Sequence, residues 1–240
     1  LTDMSVPLGR KIGNALEVAE AMEVLQGKGP ADLREVSLAL AADMLRLIGR
    51  GDFAECQRLA AEAIENGSAF RAFSAMVEAQ GGDAASLADP TKLPQAAFRR
   101  EVRAERDGFI VHMDAERIGQ AACLLGAGRE TKESAIDHAA GIRLVKKTGD
   151  AVKAGEVIAE LHANDESLLA PAASRYLSAL AIEDAPCEKR PLIFARVTKE
   201  SFPKTSAAQG RRPVMSGALL EEVRAAMAQG AKEGGSDDGR

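Results

Sequence analysis

Three histidines, three cysteines and one Ser–Asp–His neighbourhood are the side chains of this 240-residue chain on which chemistry could rest. His112, His138 and His162 are its imidazoles. His112 and His162 alternate within strand-like patterns, where a half-buried structural histidine is the better reading than a ligand or a base. Ser134 and Asp137 lie near His138, but a nucleophilic serine needs a positioning turn such as Gly-x-Ser-x-Gly, and none is present. Asp165 and Glu166 could form an acid pair, yet Asn164 or Asp165 more simply caps the helix that follows. Gly126 and Gly128 come after a helix rather than a strand, so they are not a dinucleotide-binding turn. Cys56, Cys123 and Cys187 stand far apart without a Cys-x-x-Cys, and read as reduced core residues rather than disulfides or zinc ligands.

Composition removes further classes. Thirty-one Lys and Arg against 36 Asp and Glu give a net charge of −5, with a pI near 5.4. A nucleic-acid partner would call for a basic surface, and one tyrosine with no tryptophan makes no base-stacking platform. No apolar run approaches the ~20 residues of a membrane span. With 46% hydrophobic residues the chain can bury an ordinary core. It opens on Leu1 and runs straight into patterned sequence, so the expectation is a start within a larger protein.

The elements that must position any site follow from periodicity. Helices are predicted over 14–25, from Pro30 to Ile48, from the cap Asp52 to the stop Gly67, and from the cap Ser68 over 70–80. The second helix carries the stripe Leu33, Val36, Leu40, Met44, Leu47 and Ile48. Residues 81–94 read as a loop rich in Gly, Asp, Ser and Pro. Strands are then predicted over 100–104 and 108–113 around a tight turn, followed by a helix capped by Asp114 and stopped at Gly126. Strands over 142–146 and 156–162, a helix over 166–181 with Pro171 as a potential kink, and a strand over 192–197 complete an α+β pattern. Residues 201–240 hold one short amphipathic helix, 216–229, and a polar end expected to be disordered, the whole read as a flexible tail.

The segment Asp3-Met4-Ser5-Val6-Pro7-Leu8-Gly9-Arg10-Lys11-Ile12-Gly13-Asn14-Ala15-Leu16-Glu17-Val18 resembles the thymidine and pyrimidine-nucleoside phosphorylase family. The likeness continues through Gly27-Lys28-Gly29-Pro30 and Asp32-Leu33-Arg34, recurs at Phe73-Ser74-Ala75-Met76-Val77-Glu78-Ala79-Gln80-Gly81-Gly82, and extends from Gly108 to Gly141. It covers about residues 1–200. The resemblance implies an α/β protein: residues 1–82 the helical layer of a truncated α/β domain, 83–99 a linker, 100–200 a C-terminal hammerhead-like α+β domain, and 201–240 outside the likeness.

The resemblance also implies the reaction, in which phosphate as co-substrate displaces a pyrimidine from a (deoxy)ribonucleoside. The family's glycine-rich Lys-His-Ser phosphate loop and its Arg…Ser…Lys clamp for the base are absent here, so no catalytic residue is assigned and the chain alone is expected to be inactive. A cytoplasmic homodimer acting in nucleoside salvage is implied for the whole enzyme, the dimer forming through an N-terminal domain this sequence lacks. Leu16, Met22 or Leu40 are expected on apolar faces left uncovered. No cofactor is required, but the positions matching a family K⁺ site are Leu8 and Lys11, through backbone carbonyls, and Glu20, through its carboxylate. The competing reading makes Glu20 a solvated helix residue with Lys11 keeping cations away, and for the chain by itself it is the preferred one. A further alternative is a non-catalytic biotinyl/lipoyl-like binding module, since Gly149-Asp150-Ala151-Val152-Lys153-Ala154-Gly155-Glu156 resembles those hammerheads. Lys153 sits inside the turn without the neighbours a modified lysine needs, and the phosphorylase reading is preferred.

Overall fold

The computed structural model describes residues 1–129, 131–188 and 190–197, and it separates two compact units. Of the described residues, the smaller contains Leu1–Asp3 and 191–197. Within it Thr2 bridges Ile193 in antiparallel fashion and the Asp3 N–H donates to the Leu192 carbonyl at 2.8 Å. That bridge is all the β structure found where a strand over 192–197 was expected. The residues from 198 to 240, with the helix expected over 216–229, lie outside the described residues.

Met4–Arg190 form the larger unit, a mixed α/β body whose sheets are antiparallel. Strand β1 (Lys11–Ile12) leads into α1 (Asn14–Leu25), α2 (Ala31–Leu47), α3 (Phe53–Glu65) and α4 (Ser68–Ala79). After two short 3-10 turns come β2 (Phe98–Arg103), β3 (Gly108–Met113), α5 (Ala115–Leu124), β4 (Gly141–Leu144), β5 (Ala151–Val152), β6 (Val157–Ala163), α6 (Leu169–Leu177) and β7 (Leu180–Glu183). One sheet runs β1-β4-β6-β2 and the other β5-β3-β7. β2 and β3 follow one another around the tight turn yet join different sheets, so the turn is a crossover between layers, not a hairpin.

Local chemistry explains most boundaries. Asp52 accepts the Glu55 N–H at 2.9 Å and Asp114 the Arg117 N–H at 3.0 Å, satisfying first-turn donors that no helical carbonyl can reach. Gly67 takes φ 73° after α3, a conformation that a Cβ would strain. Ser68 does not cap α4; it is the first helical residue, and its hydroxyl turns back to the Ala63 carbonyl. Pro171 is the third residue of α6, in the first turn, where its missing N–H would have no intrahelical acceptor. That helix ends at Leu177, and Leu180 and Ala181, expected to be helical, pair instead with β3.

The main core joins Ile110, Ile118, Ile142, Leu144, Leu161 and Tyr176, all essentially inaccessible, with Ile12 packed against it. A smaller cluster, Leu38, Ala60 and Ile64, holds α2 to α3. This corrects the expected stripe of α2. Its buried side is Val36, Leu38, Ala39 and Ala42, whereas Leu40, Met44, Leu47 and Ile48 face outward at 53–80% exposure. Met22 is likewise buried, against the expectation of an uncovered face. Cys56 is a core residue, while Cys123 and Cys187 are half-buried, and all three are free thiols.

Candidate functional site

A two-residue strand brings the N-terminal segment onto the C-terminal sheet. Lys11 and Ile12 pair with Arg143 and Ile142, the Leu144 N–H donates to the Arg10 carbonyl at 2.7 Å, and Arg10 Nη1 donates to the Val145 carbonyl. The Ala15 N–H at the start of α1 donates to the His138 carbonyl at 3.0 Å. Glu17 accepts the Gly13 N–H at 3.1 Å, so two of the open N–H groups at the start of α1 find acceptors. The turn before β1 therefore lies against α1 in one orientation.

Glu20 is the result of that placement. It projects from α1 into the turn and is only 3% exposed. Both its oxygens accept the Arg10 N–H at 3.0 Å, and one also accepts the Lys11 N–H at 3.3 Å. Burial pushes its pKa up, and the backbone N–H groups of Arg10 and Lys11 together with the Lys11 charge only partly restore the ionised form. The reading of Glu20 as a solvated helix residue is therefore overturned. The Lys11 ammonium turns away to Glu23 at 2.6 Å. Gly9 packs directly on the Glu20 carboxylate with φ 70°, so any side chain there would meet it. Leu8, Lys11 and Glu20 line one cleft of about 450 Å³, with Glu17, Leu33 and Ala115 on its other walls.

The turn before β1 is also held by an ion pair that local sequence reading missed. Asp32, in the first turn of α2, accepts the Gly9 N–H at 3.1 Å and pairs with the Lys147 ammonium from the turn before β5. Burial acts to raise the Asp32 pKa, but the Lys147 ammonium and the N–H groups of Leu33 and Gly9 outweigh it and hold the carboxyl below its ordinary value. A depressed carboxylate contributes stability above its unfolded pKa, near ~3.9, and loses it as pH falls through the lower folded value. Asp32→Asn should accordingly cost about 1–3 kcal/mol at neutral pH, with the difference from the parent closing below about pH 4. Urea unfolding across that range checks this; a difference independent of pH would contradict it.

The remaining sequence candidates are not brought together. The Ser134 hydroxyl pairs with Thr131, Asp137 accepts from Ala139 and Asn164, and His138 is exposed, so no triad forms. Asp165 caps the 3-10 turn before α6, as expected. His162 is buried beside Glu160 at 3.0 Å, and burial pushes its pKa down, which suits a neutral structural imidazole. The Lys153 turn is held by Glu156 and Asp107. Among the described residues no group of three His, Cys, Asp or Glu side chains could hold a metal ion. The Glu20 cleft holds one buried carboxylate, whose oxygens already accept the Arg10 and Lys11 N–H groups.

The antiparallel sheets and their packed helices define a known class of domain. Residues 109–183 match the family model described as pyrimidine nucleoside phosphorylase C-terminal domain. Pyrimidine-nucleoside phosphorylases of Geobacillus stearothermophilus, Staphylococcus haemolyticus and Bacillus subtilis are 46%, 47% and 47% identical to the chain over 169 residues. Residues 109–183 thus carry the C-terminal domain of the pyrimidine-nucleoside phosphorylase family. The match takes in 70% of this chain and spans 39% of each relative's length.

Proposed function

We propose that this chain supplies the C-terminal part of a pyrimidine-nucleoside phosphorylase, a pentosyltransferase that includes thymidine phosphorylases among its kind. In that reaction a phosphate oxygen bonds to the anomeric carbon of the (deoxy)ribose. The glycosidic C–N bond breaks, its electron pair goes to the pyrimidine nitrogen, and (deoxy)ribose 1-phosphate leaves with the base. The chemistry needs donors around the phosphate and cationic groups over the departing base. The resemblance puts both sets ahead of this segment, so the chain alone is inactive. The observation that carries the reading is the 46% identity over 169 residues, 70% of this chain. A cytoplasmic role in nucleoside salvage, and a homodimer of the whole enzyme, belong to the same reading. Among the described residues no helix is long and apolar enough to cross a membrane. Pure chain mixed with thymidine or uridine and phosphate should release no free base above background, and steady turnover would refute this account of where the site lies.

The Glu20 cleft serves the same reading as a seat for K⁺. The carboxylate of Glu20 would supply the charge, and the carbonyls of Leu8 and Lys11 would complete this chain's share. A cation there would offset a buried negative charge, a gain in electrostatic stability rather than a chemical step. Glu20→Gln removes that charge while keeping the shape. The parent chain should melt a few degrees higher in KCl than in choline chloride of equal ionic strength, and the variant should not. Equal melting of the parent in both salts would contradict the cation seat.

A further inference from the structure

We propose that the outward stripe of α2 is a self-association surface on which a second copy of this chain docks, helix against helix. Leu40, Met44, Leu47 and Ile48 are spaced four, three and one residues apart, which puts them on one side of the helix near its end. They are 53%, 66%, 80% and 72% exposed, the densest run of large exposed apolar side chains among the described residues. The opposite side of α2 is already committed, since Leu38 with Ala41 and Leu45 packs on α3.

The stripe chooses its partner by what it lacks. From Ser37 to Ile48 the outward positions are Ser37, Leu40, Met44, Leu47 and Ile48, with no charge among them. A basic or acidic partner would find nothing to pair with, whereas a second identical stripe matches it in kind. An antiparallel pairing about a twofold axis at Met44 sets Leu40 of each copy opposite the other copy's Ile48 and Met44 against its own mate. On the flank, that axis sets Asp43 opposite Leu45 and Arg46 opposite Ala42 of the second copy. Arg46 and the other copy's Asp43, whose types pair along each helix at 3.5 Å, therefore lie one residue out of step, a rise of about 1.5 Å that the Arg side chain spans. The stripe exposes on the order of 400 Å² per copy. A standard interface draws about 800 Å² from each partner, so the dimer is weak and depends on concentration.

Sedimentation velocity of the full chain from about 5 to about 500 µM tests this. The parent should pass from monomer to dimer across that range. Met44→Glu, an exposed position whose replacement should leave the circular dichroism unchanged, should weaken association at least about tenfold. A parent that stays monomeric at the highest concentration, or a Met44→Glu chain that associates like the parent, would overturn the proposal. Geometry is read separately by oxidising chains that carry one added cysteine in a Cys123→Ser, Cys187→Ser background, where the remaining Cys56 is buried. Met44→Cys should form a disulfide dimer across the axis, and Met76→Cys, half-exposed on α4, should not. Equal cross-linking at both positions would also overturn it.

Discussion

Gly141→Ala is expected to be the most damaging single-methyl change in the molecule, lowering stability by about 3 kcal/mol and the Tm by roughly 10 °C. At Gly141 the N-terminal segment crosses the start of β4 so closely that an added Cβ would overlap the Ile12 carbonyl oxygen. It would also lie 2.9 Å from Leu16 Cδ1 and 3.2 Å from Gly13 Cα. Two of these three neighbours are backbone, which cannot swing aside. Gly13 answers from the other strand: its own Cβ would fall on the Ala140 carbonyl oxygen. The two glycines let β1 seat on β4 and so set the turn that encloses Glu20. Gly149→Ala provides the comparison. Gly149 also has positive φ, 94°, but open space where a Cβ would go, so its cost should be that of backbone strain alone, about 1 kcal/mol. Thermal melts of the two variants give the test; equal losses would show that the crossing is not where the fold is tightest.

Much of this architecture is legible in the sequence because it is local. Asp52, Asp114 and Gly67 mark helix ends through bonds that span three residues or fewer, and the period of the apolar residues locates α1 at its observed bounds. Three features escape for a shared reason. β1 is two residues long and exists only because β4, some 130 residues further on, offers it an edge, so no periodicity announces it. Glu20 looks like a solvated helix carboxylate until the Arg10–Lys11 turn folds over it and supplies N–H donors. The apolar pattern of α2 contains both a buried side and an outward one, and spacing alone cannot say which of them the core takes.

The same distinction governs the candidate site. Resemblance named Leu8, Lys11 and Glu20 together, and the structure sets all three around one cleft. The Asp32–Lys147 pair, which ties the turn before β1 to the turn before β5, joins residues 115 positions apart and is visible only in the folded chain. Asp32 itself lies within the Asp32-Leu33-Arg34 stretch of the resemblance, which carries its type and not its partner.

The reading of this chain as a working phosphorylase segment is tested most directly by exchange. In the Bacillus subtilis pyrimidine-nucleoside phosphorylase, the 169 matched residues are replaced by the corresponding stretch of this chain, 47% identical to them. Release of free base from thymidine and uridine in phosphate is then measured. If this segment preserves the cleft and the face it presents to the rest of the enzyme, the chimera should work at a rate within about tenfold of its parent. A chimera that folds and assembles like its parent yet releases no base would contradict the account.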